Sequence, residues 1–206
     1  MLDHILLGCP DLDTGIAFLQ QRTGVKAVFG GVHPGRGTQN ALLSLGERHY
    51  LEIIAPDPQQ ADTANSLALA LRALREARLV GWAAHPGELR AFAKKLREEG
   101  FAFEGPTPGS RKRPDGRLLE WQTLHLQDDR SGLLPFFIAW QADSPHPASN
   151  APEGVQLTRF ELASPTRETL KKIATRLSLD VAVVQSEKPQ IRAALAGPAG
   201  KLDLCS

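Results

Sequence analysis

Two polar side chains interrupt apolar stretches of this sequence and could take part in acid–base chemistry. His4 stands in the run LDHILLG, and Glu52 stands in the run YLEIIAP. Burying a carboxylate is costly unless it is paired, so Glu52 is more than structural filler. We interpret it as a candidate general base, because a positioned carboxylate can move a proton. His4 alone could equally be a core histidine bonded to the backbone, but the two together favour a shared role in one cleft.

The stretch GGVHPGRGTQNALLSLG, residues 30–46, has the composition of an anion-binding loop. Its glycines allow tight and left-handed turns, and the amides of such a loop can form an anion-binding concavity. A second basic stretch, SRKRPDGR at 110–117, occupies the same slot in a later repeat. We expect both loops to face one opening, and the alternative is two solvated hairpin entries. The candidate ligand-binding residues are His33, Arg36, Asn40, Arg113 and Trp121.

The chain repeats the element order strand, helix, strand, strand, strand. The spacing of apolar residues predicts one copy at 2–56 and another at 78–140, joined by a connecting helix at 59–77. Each copy ends in a hairpin, the first turning at Gly46–Glu47 and the second near 129–132. Repetition of a βαβββ order predicts an α+β fold built from such units.

The remainder of the chain predicts a linker and a third unit. Residues 141–154, QADSPHPASNAPEG, have a linker composition. Residues 155–206 predict another βαβββ-like unit, with Ser164 as helix N-cap and Pro165 at the first helical position. A lone unit exposes a sheet edge. We therefore expect it to pair with its copy in a symmetric homodimer, or to fold back on the first two units.

The first two units resemble the vicinal oxygen chelate superfamily, and in particular its glyoxalase-like domain branch. The resemblance rests on LDHILLGCPDLD, HPGRGTQNALLSLG, YLEIIAPDP, RPDG and LLPFFIAW, which together span residues 2–140. It implies a domain of two paired βαβββ units around one cleft that receives a small-molecule ligand. The fold hosts many reactions, so the resemblance alone names none of them.

In this superfamily a divalent metal often lies at the floor of the cleft, held by the first and fourth strands of each unit. The resemblance puts His4 and Glu52 at two ligand positions, where they suit Zn²⁺, Fe²⁺, Mn²⁺ or Ni²⁺. The second unit departs from the pattern, because Gly81 or Trp82 and Ala139 stand where ligands are expected. Catalytic zinc sites usually have three protein ligands, so we expect a metal to be weakly bound or absent. Substitute ligands on the neighbouring strand are Glu120, Gln122 and, as a weak metal ligand, His125.

Two functions are compatible with these residues. The first is a metal-dependent lyase or isomerase of the glyoxalase type. It would act on a small anionic carbonyl or hydroxy acid, with His4 and Glu52 at the reacting atoms and Arg36 on the anionic end. The second is a metal-free protein that binds or sequesters a small molecule on the same fold.

The composition limits the classes of partner that we expect the protein to bind. The 206 residues carry 24 Lys+Arg and 23 Asp+Glu, a net charge of +1, so no global field favours nucleic acid or a membrane surface. No apolar run is long enough to span a bilayer, and the N-terminus lacks a signal-peptide pattern. Cys9 and Cys205 have no metal-like spacing, which is typical of a reduced cytoplasmic protein.

Overall fold

A computed structural model describes residues 2–46, 48–61, 65–113 and 116–206 of the chain. Glu47 of the predicted first turn, 62–64 of the predicted connecting helix and 114–115 of the basic stretch lie outside the described residues. The strands and helices are β1 Leu2–Gly8, α1 Leu12–Thr23, β2 Val28–His33, β3 Thr38–Ser44, β4 Tyr50–Pro56, α2 Ser66–Arg72, β5 Arg78–Ala84, α3 Leu89–Glu98, β6 Phe103–Lys112, β7 Leu118–Leu126, β8 Phe136–Trp140, β9 Gln156–Ser164, α4 Arg167–Arg176, β10 Ala182–Gln185, β11 Gln190–Gly197 and β12 Gly200–Cys205.

Eight strands close into a barrel in the order β1-β4-β3-β2-β6-β7-β8-β5. β1 runs parallel to β4 and antiparallel to β5, so the first strands of the two units are neighbours at one seam. At the other seam, β2 and β6 share a single paired position, Val32 with Lys112. The predicted α+β fold with two βαβββ units around one interior is confirmed.

Alternation along the strands gives the barrel two different faces. Ile5, Leu7 and Leu51 point outward into the main core, where helices α1 and α3 cover the sheet. The residues that alternate with these along each strand point into the barrel. Leu71 of α2 packs on inward-facing Leu6 and thereby closes one end of the barrel.

The connecting helix is shorter than predicted, and the strand β6 runs through a stretch with a loop-like composition. The helix begins only at Ser66, because the side chain of Asn65 accepts hydrogen bonds from the amides of Leu67 and Ala68 and caps it there. Residues 106–112 have a proline- and glycine-rich composition that is typical of loops. They extend β6 instead, since Thr107 to Lys112 pair with β7.

The third unit forms a separate four-stranded sheet in the order β10-β9-β11-β12. It has the expected βαβββ order along the chain but a different order in space. In the barrel the first strand of a unit lies beside the fourth, whereas β9 lies between β10 and β11. Its helix starts two residues later than predicted: Thr166 is the N-cap, and Ser164 Oγ accepts from the Thr166 amide.

The third sheet packs its apolar face on the outside of the barrel. Its Leu162, Leu195 and Leu204 belong to the same buried core as the outward-facing barrel residues, and the rings of Trp82 and Phe160 meet with centroids 5.1 Å apart. This is the fold-back arrangement. The symmetric homodimer stays a prediction, which light scattering on the full chain measures.

The segment at 141–154 covers the second end of the barrel. Its Ala148 and Ala151 pack on Leu42 and Tyr50, and the amide of Ser44 donates to the carbonyl of Pro152 at 2.9 Å. A segment with the composition of a linker is therefore packed against the end of the barrel. Among the described residues, no helix is long and apolar enough to cross a membrane.

Candidate functional site

His4 and Glu52 face each other inside the barrel. They lie on the neighbouring parallel strands β1 and β4, where Leu6 is the register partner of Glu52. His4 Nε2 is 3.4 Å from Glu52 Oε2, and the two residues are 2% and 7% exposed. His4 lies on the same face of β1 as Leu6, and Leu6 is paired with Glu52. Both side chains therefore point into the barrel and form one buried acid–base pair.

Asn40 and His33 approach the second oxygen of Glu52. Asn40 Nδ2 donates to Glu52 Oε1 at 2.7 Å, and His33 Nε2 lies 3.7 Å from the same oxygen. The hydroxyl of Thr38 holds the other ring nitrogen of His33 at 2.9 Å. Burial lowers the pKa of His33 and outweighs the opposing effect of Glu52, so the neutral ring is favoured. Both residues were expected from the sequence to lie at the site.

Arg111 is the basic side chain that reaches this cluster, and sequence reasoning did not single it out. It lies on β6, is 3% exposed, and donates from Nη1 to Asn40 Oδ1 at 3.3 Å. A Cβ at Gly30 would collide with both of those atoms, so this close approach requires glycine. Desolvation lowers the pKa of Arg111, and the charge of Glu52 opposes that shift. The alternation of a strand through 103–112 is the signal that would have found it.

Asp3 holds the far side of His4. A register shift between Leu2 and His4 in the β1–β5 ladder marks a bulge, which lets adjacent side chains face the same way. Asp3 Oδ1 accepts from His4 Nδ1 at 2.7 Å, so His4 Nε2 is left facing Glu52. The other oxygen, Oδ2, accepts from Trp140 Nε1 at 3.2 Å and lies 3.3 Å from His146 Nε2.

Asp3 should make the stability of the protein depend on pH in the acid range. Burial alone would raise its pKa, but hydrogen bonds from His146 and His4 outweigh burial and hold the pKa below the usual range. An aspartate with a depressed folded-state pKa stabilises the fold fully above the unfolded value, about 3.9, and this contribution is lost as the pH falls through the folded value. Asp3→Asn should therefore flatten the fall of the unfolding free energy from about pH 5 downward.

Urea unfolding at a series of pH values measures this slope. Asp143→Asn is the matched control, because Asp143 is exposed, and it should keep the wild-type slope. Equal slopes for wild type and Asp3→Asn would show that the Asp3 carboxylate has no linkage to folding.

The other predicted ligand-binding residues are Arg36, Trp121 and Arg113. Arg36 is exposed in the turn after β2, where its amide donates to the carbonyl of His33 at 3.1 Å. Trp121 packs against Trp140 with ring centroids 5.4 Å apart. Arg113 lines an open cavity of about 200 Å³ beside Arg111, together with residues of β2, β3 and β7 and with Pro147 and Asn150.

The side chains present do not fit the four-ligand metal centre that the resemblance implies. His125 stacks on Phe136 at 5.3 Å, and Phe136 also packs edge-on against His4 at 5.6 Å, so an apolar ring separates the two imidazoles. Trp82 and Ala139 face the outer core, and the inward position beside Leu6 is Gly81. Within the described residues, no three His, Cys, Asp or Glu side chains are placed to hold a metal ion.

Comparison with known proteins agrees with this fold. A family model described as a glyoxalase-like domain matches residues 2–178. The search of curated proteins gave no match. A hypothetical protein from Staphylococcus aureus is similar in structure, with a TM-score of 0.69, 17% identity, and coverage of 99% of this chain and 84% of that chain.

Methylmalonyl-CoA epimerases are among the further solved structures. A variant from Streptomyces coelicolor in complex with 2-nitronate-propionyl-CoA has a TM-score of 0.51 and 22% identity, covering 70% of this chain and 96% of that chain. Another, in complex with methylmalonyl-CoA and NH4+, has a TM-score of 0.50 and 23% identity, covering 70% and 97%. At these identities the likeness concerns the fold.

Proposed function

The chain belongs to the glyoxalase-like domain family, and we propose that its barrel interior binds a small anionic carbonyl or hydroxy acid and moves a proton at the carbon next to the carbonyl group. Glu52 is the proposed base. The observation that carries this proposal is a carboxylate, 7% exposed, inside an otherwise apolar strand, with a partner at each oxygen. A carboxylate held in this way is oriented before a ligand arrives.

The neighbours of Glu52 supply the other parts of a proton transfer. Asn40 fixes one oxygen, and His4, itself oriented by Asp3, lies beside the other. Glu52 would take the proton from carbon, and His4 Nε2 is close enough to exchange a proton with it. The fixed positive charge of Arg111 would stabilise the negative charge that develops on the carbonyl oxygen. The proposed steps use these side chains only.

The size of the cavity beside Arg111 supports a small ligand. Pockets for drug-sized ligands measure about 300–1,000 Å³, so a cavity of about 200 Å³ suits a smaller molecule. The epimerases with a similar fold were solved with acyl-CoA ligands. Free acids and an acyl-CoA thioester are therefore both candidates for the exchange experiment.

Deuterium exchange tests the proposal. Wild-type protein is incubated in heavy water with small 2-oxo acids, 2-hydroxy acids and one acyl-CoA thioester, with and without a chelator. Proton NMR then follows the signal at the carbon next to the carbonyl group. Loss of that signal with a free acid supports the proposal, and loss with the thioester alone redirects it to acyl-CoA chemistry. Absence of exchange with every compound rejects Glu52 as a base for this substrate class.

A metal-free binding or sequestering protein is the second candidate function. It is favoured because, among the described residues, no fully buried side-chain nitrogen or oxygen lacks a hydrogen-bond partner. The second unit also contributes apolar groups, Phe136 and Ile138, on β8. Ligand binding without exchange in the same experiment would establish this candidate.

The cytoplasmic location of the protein is also a proposal. Cys9 is a buried free thiol and Cys205 an exposed one, which supports the proposed cytoplasmic location, where thiols are kept reduced. Mass spectrometry of protein freshly released from cells measures whether both thiols are reduced. A disulfide bond between two copies through Cys205 would argue against the cytoplasmic location.

A further inference from the structure

We infer that the cavity beside Arg111 is a binding site for a small carboxylate, and that the Arg111 guanidinium supplies there the positive charge that a divalent metal supplies in related clefts. This inference deepens the proposed function and rests on it for the identity of the reacting ligand. The binding step itself depends only on the cavity and its arginine.

The exposed edge of Arg111 faces the cavity. With the described residues, its guanidinium makes one hydrogen bond, from Nη1 to Asn40 Oδ1. No buried side-chain nitrogen in the described part of the chain lacks a partner, so Nε and Nη2 must retain some access to open space. The residue as a whole is 3% exposed, and the open space that it lines is this cavity. We infer that this access is toward the cavity, where Nε and Nη2 would form a two-pronged donor edge.

The charges around the cavity favour an anion. Its described lining contains two arginines, Arg111 and Arg113, and no aspartate or glutamate. Glu52 is separated from Arg111 by the side chain of Asn40, which bonds to both. A buried cation is costly unless it is paired. A ligand anion would complete that pairing in direct contact.

The shape and walls of the cavity favour a carboxylate. The planar fork of arginine matches the two oxygens of a carboxylate. The remaining lining is largely apolar, including Leu42 and Leu119, and would contact a short carbon chain. Leu42 is also the register partner of Glu52, so the carbon chain of a bound acid would extend toward the proposed base.

Calorimetric titration in excess chelator tests the inference with pyruvate, lactate, lactamide and inorganic phosphate. Wild-type protein should bind pyruvate or lactate, and should bind the uncharged lactamide at least tenfold more weakly. Arg111→Met should weaken carboxylate binding about 10- to 100-fold, the range expected for a lost charged hydrogen bond. Arg111→Lys should recover only part of it, because the charge remains and the fork is lost. The control Arg90→Met, at an exposed arginine on α3, should bind as wild type does.

A measurement on the wild-type protein covers the case in which an Arg111 variant fails to fold. The Nε–H resonance of Arg111 should shift on adding pyruvate, and that of exposed Arg90 should stay in place. The inference is overturned by an unmoved Arg111 resonance, by binding that disappears with chelator, or by tighter binding of phosphate than of carboxylate.

The proposed reaction and the proposed carboxylate site can be contradicted independently of each other. Glu52→Gln should keep carboxylate binding within a few fold of wild type. Carboxylate binding without deuterium exchange would remove the proposed reaction and leave this site. Exchange on an uncharged substrate, with no carboxylate binding, would remove the site and leave the reaction.

Discussion

Glu52→Gln is expected to lower the rate of deuterium exchange at the substrate carbon about 10²–10⁴-fold, the usual contribution of a general base. Glutamine has the shape of glutamate but cannot accept the proton. Its amide oxygen can still accept from Asn40 Nδ2, which now lies 2.7 Å from Glu52 Oε1, so the fold should survive. The measurement is the exchange rate by proton NMR, with circular dichroism and thermal unfolding to confirm that the variant is folded.

Glu153→Gln is the matched control for that substitution. Glu153 is exposed in the segment before β9, so its variant should exchange at the wild-type rate. A folded Glu52→Gln protein that retains wild-type exchange would show that another group takes the proton. Because His4 Nε2 is the nearest other acceptor to Oε2, His4→Gln would then be the next substitution to measure.

Trp82→Ala is expected to lower the free energy of unfolding by about 3–5 kcal/mol, as large aromatic deletions in protein cores do. Trp82 is 2% exposed and lies where the barrel meets the third sheet, against Phe160. Its Nε1 donates to the carbonyl of Leu133 at 2.9 Å. Truncation would leave a cavity at this junction and an unpaired carbonyl. Urea unfolding followed by circular dichroism measures the loss.

Two further variants separate packing from general fragility. Trp82→Phe keeps an aromatic ring but removes the donor, so it should cost about 1–3 kcal/mol, the penalty of an unsatisfied buried acceptor. Leu69→Ala removes a leucine that is 52% exposed on α2, and should change stability by less than about 0.5 kcal/mol. A Trp82→Ala protein as stable as the Leu69→Ala protein would mean that the third sheet does not rest on this contact.

The interior placement of the acid–base pair followed from local pattern. In a strand, side chains alternate between faces, and His4 and Glu52 each stand among apolar neighbours in a short apolar run. The sequence also predicted that the stretch carrying His33 and Asn40 would lie near them. What it lacked was their geometry, because the 2.7 Å bond from Asn40 to Glu52 joins two strands whose register the pattern does not specify.

Arg111 and His146 could not be assigned from the sequence for a different reason. Arg111 lies in PTPGSRKRPDG, a composition typical of loops, and only pairing with β7 makes it a strand with an inward side. His146 lies in a stretch with a linker composition, and reaches Asp3 because 147–151 packs on the barrel end. In both cases non-local contacts outweigh local preference.

Sequence by itself determined the βαβββ order of all three units, the family resemblance and the inward pair His4 and Glu52, because each depends on periodicity along a single segment. Only the tertiary structure decided which strands lie side by side and which units pack together. The third unit has the same order along the chain as the others, yet its sheet order differs, and it packs on the outer face of the barrel. Strand order depends on which apolar faces meet, and that is a property of contacts between segments rather than of any segment alone.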